Sequence, residues 1–157
     1  MTKKKVQPEK KQFIEEVGIL FDEFGLPRMA GRILGWLLVC EPLYQSASEL
    51  GDVVGASKGS ISTMTRMMVQ RGLVERMGIP GKRSAYYRMK SGAHGLFLKS
   101  HLVLAKAFRE ITDRGLAIMA QEPASLQERL KEMRDFHVFF EREMPALIER
   151  YEKEHRA

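Results

Sequence analysis

The stretch that most constrains this 157-residue chain runs from Ser46 to Met89, where capping and turn signals fall at fixed offsets. Ser46-Ala47-Ser48-Glu49 has the form of a capping box, in which the serine hydroxyl takes the N3 amide and the glutamate reaches back to the N-cap amide. The short helix it opens carries Leu50, Val53 and Val54 and stops at Gly55. Ser57 offers a second N-cap, and the helix that follows to about Arg71 turns Ile61, Met64, Thr65 and Met68 inward before Gly72 closes it. Leu73 to Met77 and Ser84 to Met89 then read as two short strands, joined through Gly78-Ile79-Pro80-Gly81 and the basic pair Lys82-Arg83.

Helix, glycine turn, helix and hairpin, in that order, describe a winged helix-turn-helix, whose second helix enters the DNA major groove. Gly51 allows the two helices to approach, Gly55 makes the turn, and Ile61 plugs the space between them. Upstream, residues 1–12 are lysine-rich, contain Pro8 and read as a frayed arm. Phe13, Val17, Leu20, Phe21 and Phe24 then keep a helical period as far as Gly25-Leu26-Pro27. A second helix, about Pro27 to Cys40, carries Met29, Ile33, Leu34, Trp36, Leu37 and Leu38 and is stopped by Pro42. Downstream, Ser91 to Gly95 reads as a flexible joint before two long helices, about 96–120 and 124–155, parted at Glu122-Pro123. The expected fold class is therefore mainly α with a small β-hairpin wing. Its expected divisions are 1–26 (basic arm and helix, part of a dimer interface), 27–90 (winged helix-turn-helix) and 91–157 (helical dimerisation region).

The last helix carries Leu126, Leu130, Met133, His137, Phe140, Met144, Leu147 and Tyr151 at alternating spacings of four and three, a heptad seam. Phe136, Phe139 and Ile148 widen it. Packing within the domain accounts for part of this stripe. One small winged domain has too little surface to cover two long apolar-faced helices, so a homodimer is expected, with Phe13 and Val17 adding to its interface.

Charge decides between a solvated polar face and a DNA-reading one on the second helix. Residues 58–90 contain eight basic side chains and one acid, Glu75, a net +7, whereas the whole chain carries +6. The basicity therefore sits on the second helix and the hairpin, where it favours a polyanionic partner. Ser57, Lys58, Gly59, Ser60, Ser62, Thr63 and Arg66 are the expected DNA contacts from the helix. The short side chains and the glycine let the helix sit close to base edges, Arg66 suits a bidentate contact to guanine, and Lys58 suits a phosphate. Lys82 and Arg83 at the hairpin tip are placed for a flanking minor groove or its phosphates.

Other chemistries find no support. His94, His101, His137 and His155 have no metal-ligand spacing, and Gly55-Ala56-Ser57-Lys58-Gly59-Ser60 lacks the spacing of a phosphate loop. No catalytic set is matched, so no enzyme, metal or cofactor is expected. The one cysteine, Cys40, excludes an internal disulfide and reads as an inert buried thiol rather than a redox sensor. The longest apolar run, Ile33 to Cys40, falls far short of the roughly 20 residues that span a bilayer. With no apolar segment after Lys3-Lys4-Lys5, no secretory signal or membrane partner is expected, and a cytoplasmic protein is. A winged helix serving as a protein-interaction module, or a nonspecific architectural DNA binder, are the alternatives.

Gly25-Leu26-Pro27-Arg28-Met29-Ala30-Gly31-Arg32-Ile33-Leu34-Gly35-Trp36 resembles the second-helix signature of the GbsR-like branch of MarR regulators. Ala47-Ser48-Glu49-Leu50, Ser57-Lys58-Gly59-Ser60-Ile61-Ser62 and Gly72-Leu73-Val74-Glu75-Arg76 are similar to that family's DNA-binding unit. The resemblance implies a dimeric bacterial transcriptional regulator, usually a repressor, on a pseudo-palindromic operator, with the terminal helices forming the dimer. Founding members of the branch regulate osmoprotectant synthesis or uptake in response to choline-like compounds. No ligand motif is visible here, although Trp36, Tyr44 and the C-terminal phenylalanines could cage a quaternary ammonium effector. Core packing is the favoured reading of these aromatics.

Overall fold

The computed structural model describes residues 6–155, and Lys3, Lys4 and Lys5 of the expected arm lie outside them. The chain divides into two compact units, Met1–Ala93 and His94–Ala157.

The first unit begins with α1 (Pro8–Glu23) and α2 (Arg28–Val39). Residues 8–12, expected as arm, are helical: Pro8 occupies the first turn, where its missing N–H costs nothing. Lys10 ties this turn down by donating to the Val39 carbonyl at 2.7 Å. Gly25, at φ +70°, ends the α1 segment, and Pro27 stands as the N-cap of α2.

The seam between α1 and α2 is built from glycines. A Cβ on Gly31 would lie 2.6 Å from the Val17 carbonyl oxygen and 2.8 Å from Phe21 Cβ. One on Gly18 would lie 2.7 Å from Arg32 Cγ, and one on Gly35 would lie 3.2 Å from Ile14 Cα. The two backbones thus approach more closely than side chains would allow. Glu15 clamps the same seam from outside, pairing with Arg32 at 2.6 Å and Arg28 at 3.3 Å.

α3 (Ala47–Val54) and α4 (Lys58–Gln70) form the helix-turn-helix. Both halves of the capping box are present: Glu49 N–H donates to Ser46 Oγ at 3.2 Å, and Ser46 N–H donates to Glu49 Oε2 at 2.7 Å. Gly55 takes the left-handed conformation at φ +64°, and a Cβ on Gly51 would lie 3.0 Å from the Ala56 carbonyl. The expected roles of both glycines are met. Leu50, Val54, Ile61, Met68 and Val74 meet Ile33, Leu37 and Trp36 in one core.

The expected strands are shorter than read, β2 (Val74–Met77) and β3 (Tyr86–Met89), and a third, β1 (Gln45–Ser46), joins them. The sheet order is β1-β3-β2, all antiparallel, with Ser46 opposite Tyr86 and Met77 opposite Tyr86 on the other side.

The second unit contains α5 (Ala93–Ile118) and α6 (Ala124–Glu154). The expected joint at Ser91–Gly95 is shorter than read: Gly92 makes the turn at φ +71° and Ala93 already begins α5. Gly95 is buried beside Glu152 of α6, a tertiary contact that holds this turn helical. Ala105 and Thr112 on α5 are buried, as are His137, Met144 and Ile148 on α6. Arg109 bonds Glu141 at 2.7 Å and Asp113 at 3.0 Å, and Arg134 bonds Asp113 at 2.6 Å. Arg134 foremost, with Arg109, holds the Asp113 carboxyl below its usual range. Its stabilising effect is present above that range and is lost as pH falls through the depressed value.

The glycine seam makes a direct prediction. Gly31→Ala forces a methyl onto the Val17 carbonyl and should lower stability by about 1–3 kcal/mol in urea unfolding. Stability at or above wild type would show that the two backbones are not in contact.

Candidate nucleic-acid interface

The orientation of α4 is set at its N-terminus and along its inner face. Ser57 Oγ accepts the Ser60 N–H at 3.2 Å, so the N-cap expected from sequence is formed. Ile61, Thr65 and Met68 are buried, and the Thr65 hydroxyl is satisfied by the Ile61 carbonyl at 2.8 Å. With these three inward, Gly59, Thr63, Arg66 and Gln70 run along the opposite side at spacings of four, three and four. All four are exposed, as are Ser57, Lys58 and Ser62, while Ser60 is half-buried.

The hairpin is fixed to this helix pair through its strands. β1 is the segment that leads into the α3 capping box, so pairing of Gln45 with Tyr87 couples the wing to the start of the helix-turn-helix. Tyr44 packs edge-on against Tyr86, ring centres 5.6 Å apart, on the same join. Lys90 N–H donates to the Leu73 carbonyl at 3.1 Å and closes the base of the hairpin. At the far end Gly81 sits at φ +79°, and Lys82 N–H donates to the Ile79 carbonyl at 3.0 Å. Lys82 and Arg83 project from this turn, exposed. With Arg76, Gly78 and Ser84 they line a groove of about 350 Å³. Arg76 is one of the eight basic side chains of residues 58–90, and in the fold it joins the hairpin tip in lining this groove.

The electrostatics of this surface are one-sided. Glu75, the single acid in residues 58–90, is directly opposite Arg88 in the sheet and paired with it at 2.5 Å. Among the described residues, Lys58, Arg66, Lys82 and Arg83 form no ion pair. An exposed helix face and a hairpin tip therefore present unneutralised cations around short polar side chains. That combination suits a phosphate backbone flanking a read groove.

The family model for MmpR5-like MarR family transcriptional regulators matches residues 93–154. The HTH-type transcriptional regulator MmpR5 of Mycobacterium tuberculosis (strain ATCC 25618 / H37Rv) is 36% identical over 145 residues, covering 92% of this chain and 88% of that protein. The chain belongs to the MarR family of winged-helix transcriptional regulators. A solved structure of a transcriptional regulator is similar along the same length, with 36% identity and a TM-score of 0.84 over 93% of this chain and 99% of that one. The HTH-type transcriptional repressor OpcR of Bacillus subtilis (strain 168) is 25% identical over 166 residues, 95% of this chain and 87% of that protein. The MarR-family chain is thus a DNA-binding transcriptional regulator and not an enzyme.

Trp36, Tyr44 and three of the four histidines singled out in the sequence have structural partners in this MarR-family protein, and His94 is exposed. Trp36 is buried, its indole N–H donated to Gln45 Oε1 at 3.1 Å, and Lys10 Nζ sits 5.9 Å from its ring centre. The chain's own ammonium thus approaches the one buried indole, while Tyr44 is engaged by Tyr86. His101, His137 and His155 each place Nδ1 within 3.0 Å of the carbonyl four residues earlier. Among the described residues no cluster of His, Cys, Asp and Glu could hold a metal, and no helix is long and apolar enough to cross a membrane.

Cys40 is buried, and burial pushes its thiol pKa up. A thiol held protonated reacts slowly, because the thiolate is the nucleophile. Aromatic disulfide reagents at neutral pH should therefore leave Cys40 unmodified in the native protein and label it fully in urea. Rapid native labelling would contradict its burial.

Proposed function

We propose that this chain is a homodimeric, sequence-specific reader of double-stranded DNA that represses transcription from a pseudo-palindromic operator. The observation that carries this reading is the outward line of α4 and the hairpin tip, exposed cations with no internal acid to neutralise them. Arg66 would contact guanine, Ser62 and Thr63 neighbouring base edges, Lys58 with Ser57 and Ser60 the adjacent phosphates, and Lys82 and Arg83 the flanking minor groove. Two α4 helices would occupy successive major grooves, about 10 bp apart.

Exposed apolar stripes support the dimer. α1 turns Ile14, Val17 and Gly18 toward α2, where the Val17 side chain packs at Gly35, so of the expected pair only Phe13 stays outward, with Leu20 and, just past the helix, Phe24, which is 76% exposed. On α6, His137 and Met144 are buried, and His137 stacks on Phe108 of α5, so these two seam residues serve the protomer's own packing. Leu126, Met133 and Leu147 are exposed, together with Phe136 and Phe139, while Leu130, Phe140 and Tyr151 are half-buried. These side chains are the surface we assign to a second copy, giving residues 1–26 and 91–157 the dimerisation role and 27–90 the reading role.

The repressor reading takes support from OpcR, a transcriptional repressor. Placement in the GbsR-like branch, with adjacent transport or osmoprotectant and stress genes as targets, rests on residues 25–36. A small-molecule effector of that branch's quaternary ammonium class would act by changing the separation of the two heads, which breaks several phosphate contacts together. The contacts of Trp36 and Tyr44 support packing roles for both.

Selection from random duplexes tests the proposal. Wild type should enrich a palindrome with half-sites about one turn apart. Arg66→Ala should cost about 1–3 kcal/mol and relax one position, while Lys58→Ala should weaken all sequences evenly and lower the salt slope by about one. Affinity uniform across sequences would favour an architectural binder. Absence of DNA binding, with a monomeric mass in solution, would favour a protein-interaction module.

A further inference from the structure

We infer that Gly59 sets how closely α4 approaches the DNA major groove, and that glycine stands there against the interest of the helix. The inference rests on the DNA-reading proposal and names a specificity-determining position within it.

α4 holds one glycine, at its second residue. Its backbone does not call for one: among the described residues the glycines at positive φ are Gly25, Gly55, Gly72, Gly81 and Gly92. Packing does not call for one either. A Cβ built on Gly59 would meet only Ser57 Oγ, at 4.0 Å, whereas one on Gly31 would meet backbone at 2.6 Å. In an exposed helical position with ordinary dihedrals, glycine is inferior to alanine because it loses more backbone freedom on folding. Neither conformation nor the protein's own interior explains the residue.

The outside does. Gly59 heads the line Gly59, Thr63, Arg66 and Gln70, which lies opposite the buried Ile61, Thr65 and Met68. It is thus on the surface of α4 that would lead into a groove. Side chains along that line lengthen from none, to threonine, to arginine, so the helix surface is lowest at Gly59. A B-form major groove is about 12 Å wide and a helix with its side chains about 10–12 Å across, so clearance is small. One missing Cβ on the leading surface lets the first turn settle against the DNA and carries Thr63 and Arg66 within reach of base edges. A methyl group there would hold the helix off and lengthen those contacts.

Fold and function therefore respond in opposite directions to one substitution. Gly59→Ala in the full chain should raise Tm by about 1–3 °C. It should also weaken binding to the duplex selected by wild type by about tenfold or more, leaving binding to random-sequence duplex within about twofold. Gly59→Leu should lose the selected duplex altogether at the same salt. A fall in Tm for Gly59→Ala would show that the fold needs the glycine and would overturn the inference. Undiminished affinity of a folded Gly59→Ala for the selected duplex would overturn it equally. Arg66→Ala separates the two levels: if it loses selectivity while Gly59→Ala does not, DNA reading stands and the clearance role falls. If wild type selects no duplex, both fall.

Discussion

The close backbone approach of α1 and α2 is the contact on which the rest of the first unit depends. α2 lies at the centre of the core, with Ala30, Ile33 and Leu37 buried. α1 is held to it where Gly18, Gly31 and Gly35 remove the side chains that would keep two helices apart. Such an approach leaves no room to slide, and Glu15 and Lys10 pin it at either end through ion pairs to Arg28 and Arg32 and a hydrogen bond to Val39. α1 thereby carries its outer apolar stripe on a rigid mount attached to the reading head. In the proposed dimer, that mount would transmit a displacement at the subunit interface to α4 without loss in a flexible linker.

Two kinds of glycine divide the labour. Those of the seam, with Gly51 beside the Ala56 carbonyl and Gly55 in the left-handed turn, are demanded by the fold. Gly59 is not, and it stands on the surface where the basic residues gather. Charge follows the same division. Glu15 at the seam and Asp113 and Glu141 in the α5–α6 unit are bound to arginines, while Lys58, Arg66, Lys82 and Arg83 make no such pairs among the described residues.

Much of this was legible in the sequence because it rests on local rules. The capping box, the Gly55 turn, the inward Ile61 and Met68 and the outward Arg66 follow from offsets of three and four within one helix. What escaped depends on partners distant in sequence. β1 has two residues and no period to detect; its strand character comes from Tyr86 and Tyr87. Residues 8–12 look like a solvated arm until Lys10 finds the end of α2. Gly95 looks like a joint until Glu152 covers it. The heptad seam of α6 was visible, but its division was not: His137 and Met144 turn inward while Met133 and Leu147 remain outside, and no spacing rule distinguishes them.

In the proposed reading mode, DNA meets this protein through α4 and the wing. Amide hydrogen exchange of the full chain, with and without a long mixed-sequence duplex at low salt, reads that contact along the backbone. Exchange should slow in residues 57–70 and 78–85 on adding DNA, with α5 and α6 unchanged. Slowing confined to α5 and α6, with residues 57–70 exchanging as before, would contradict it.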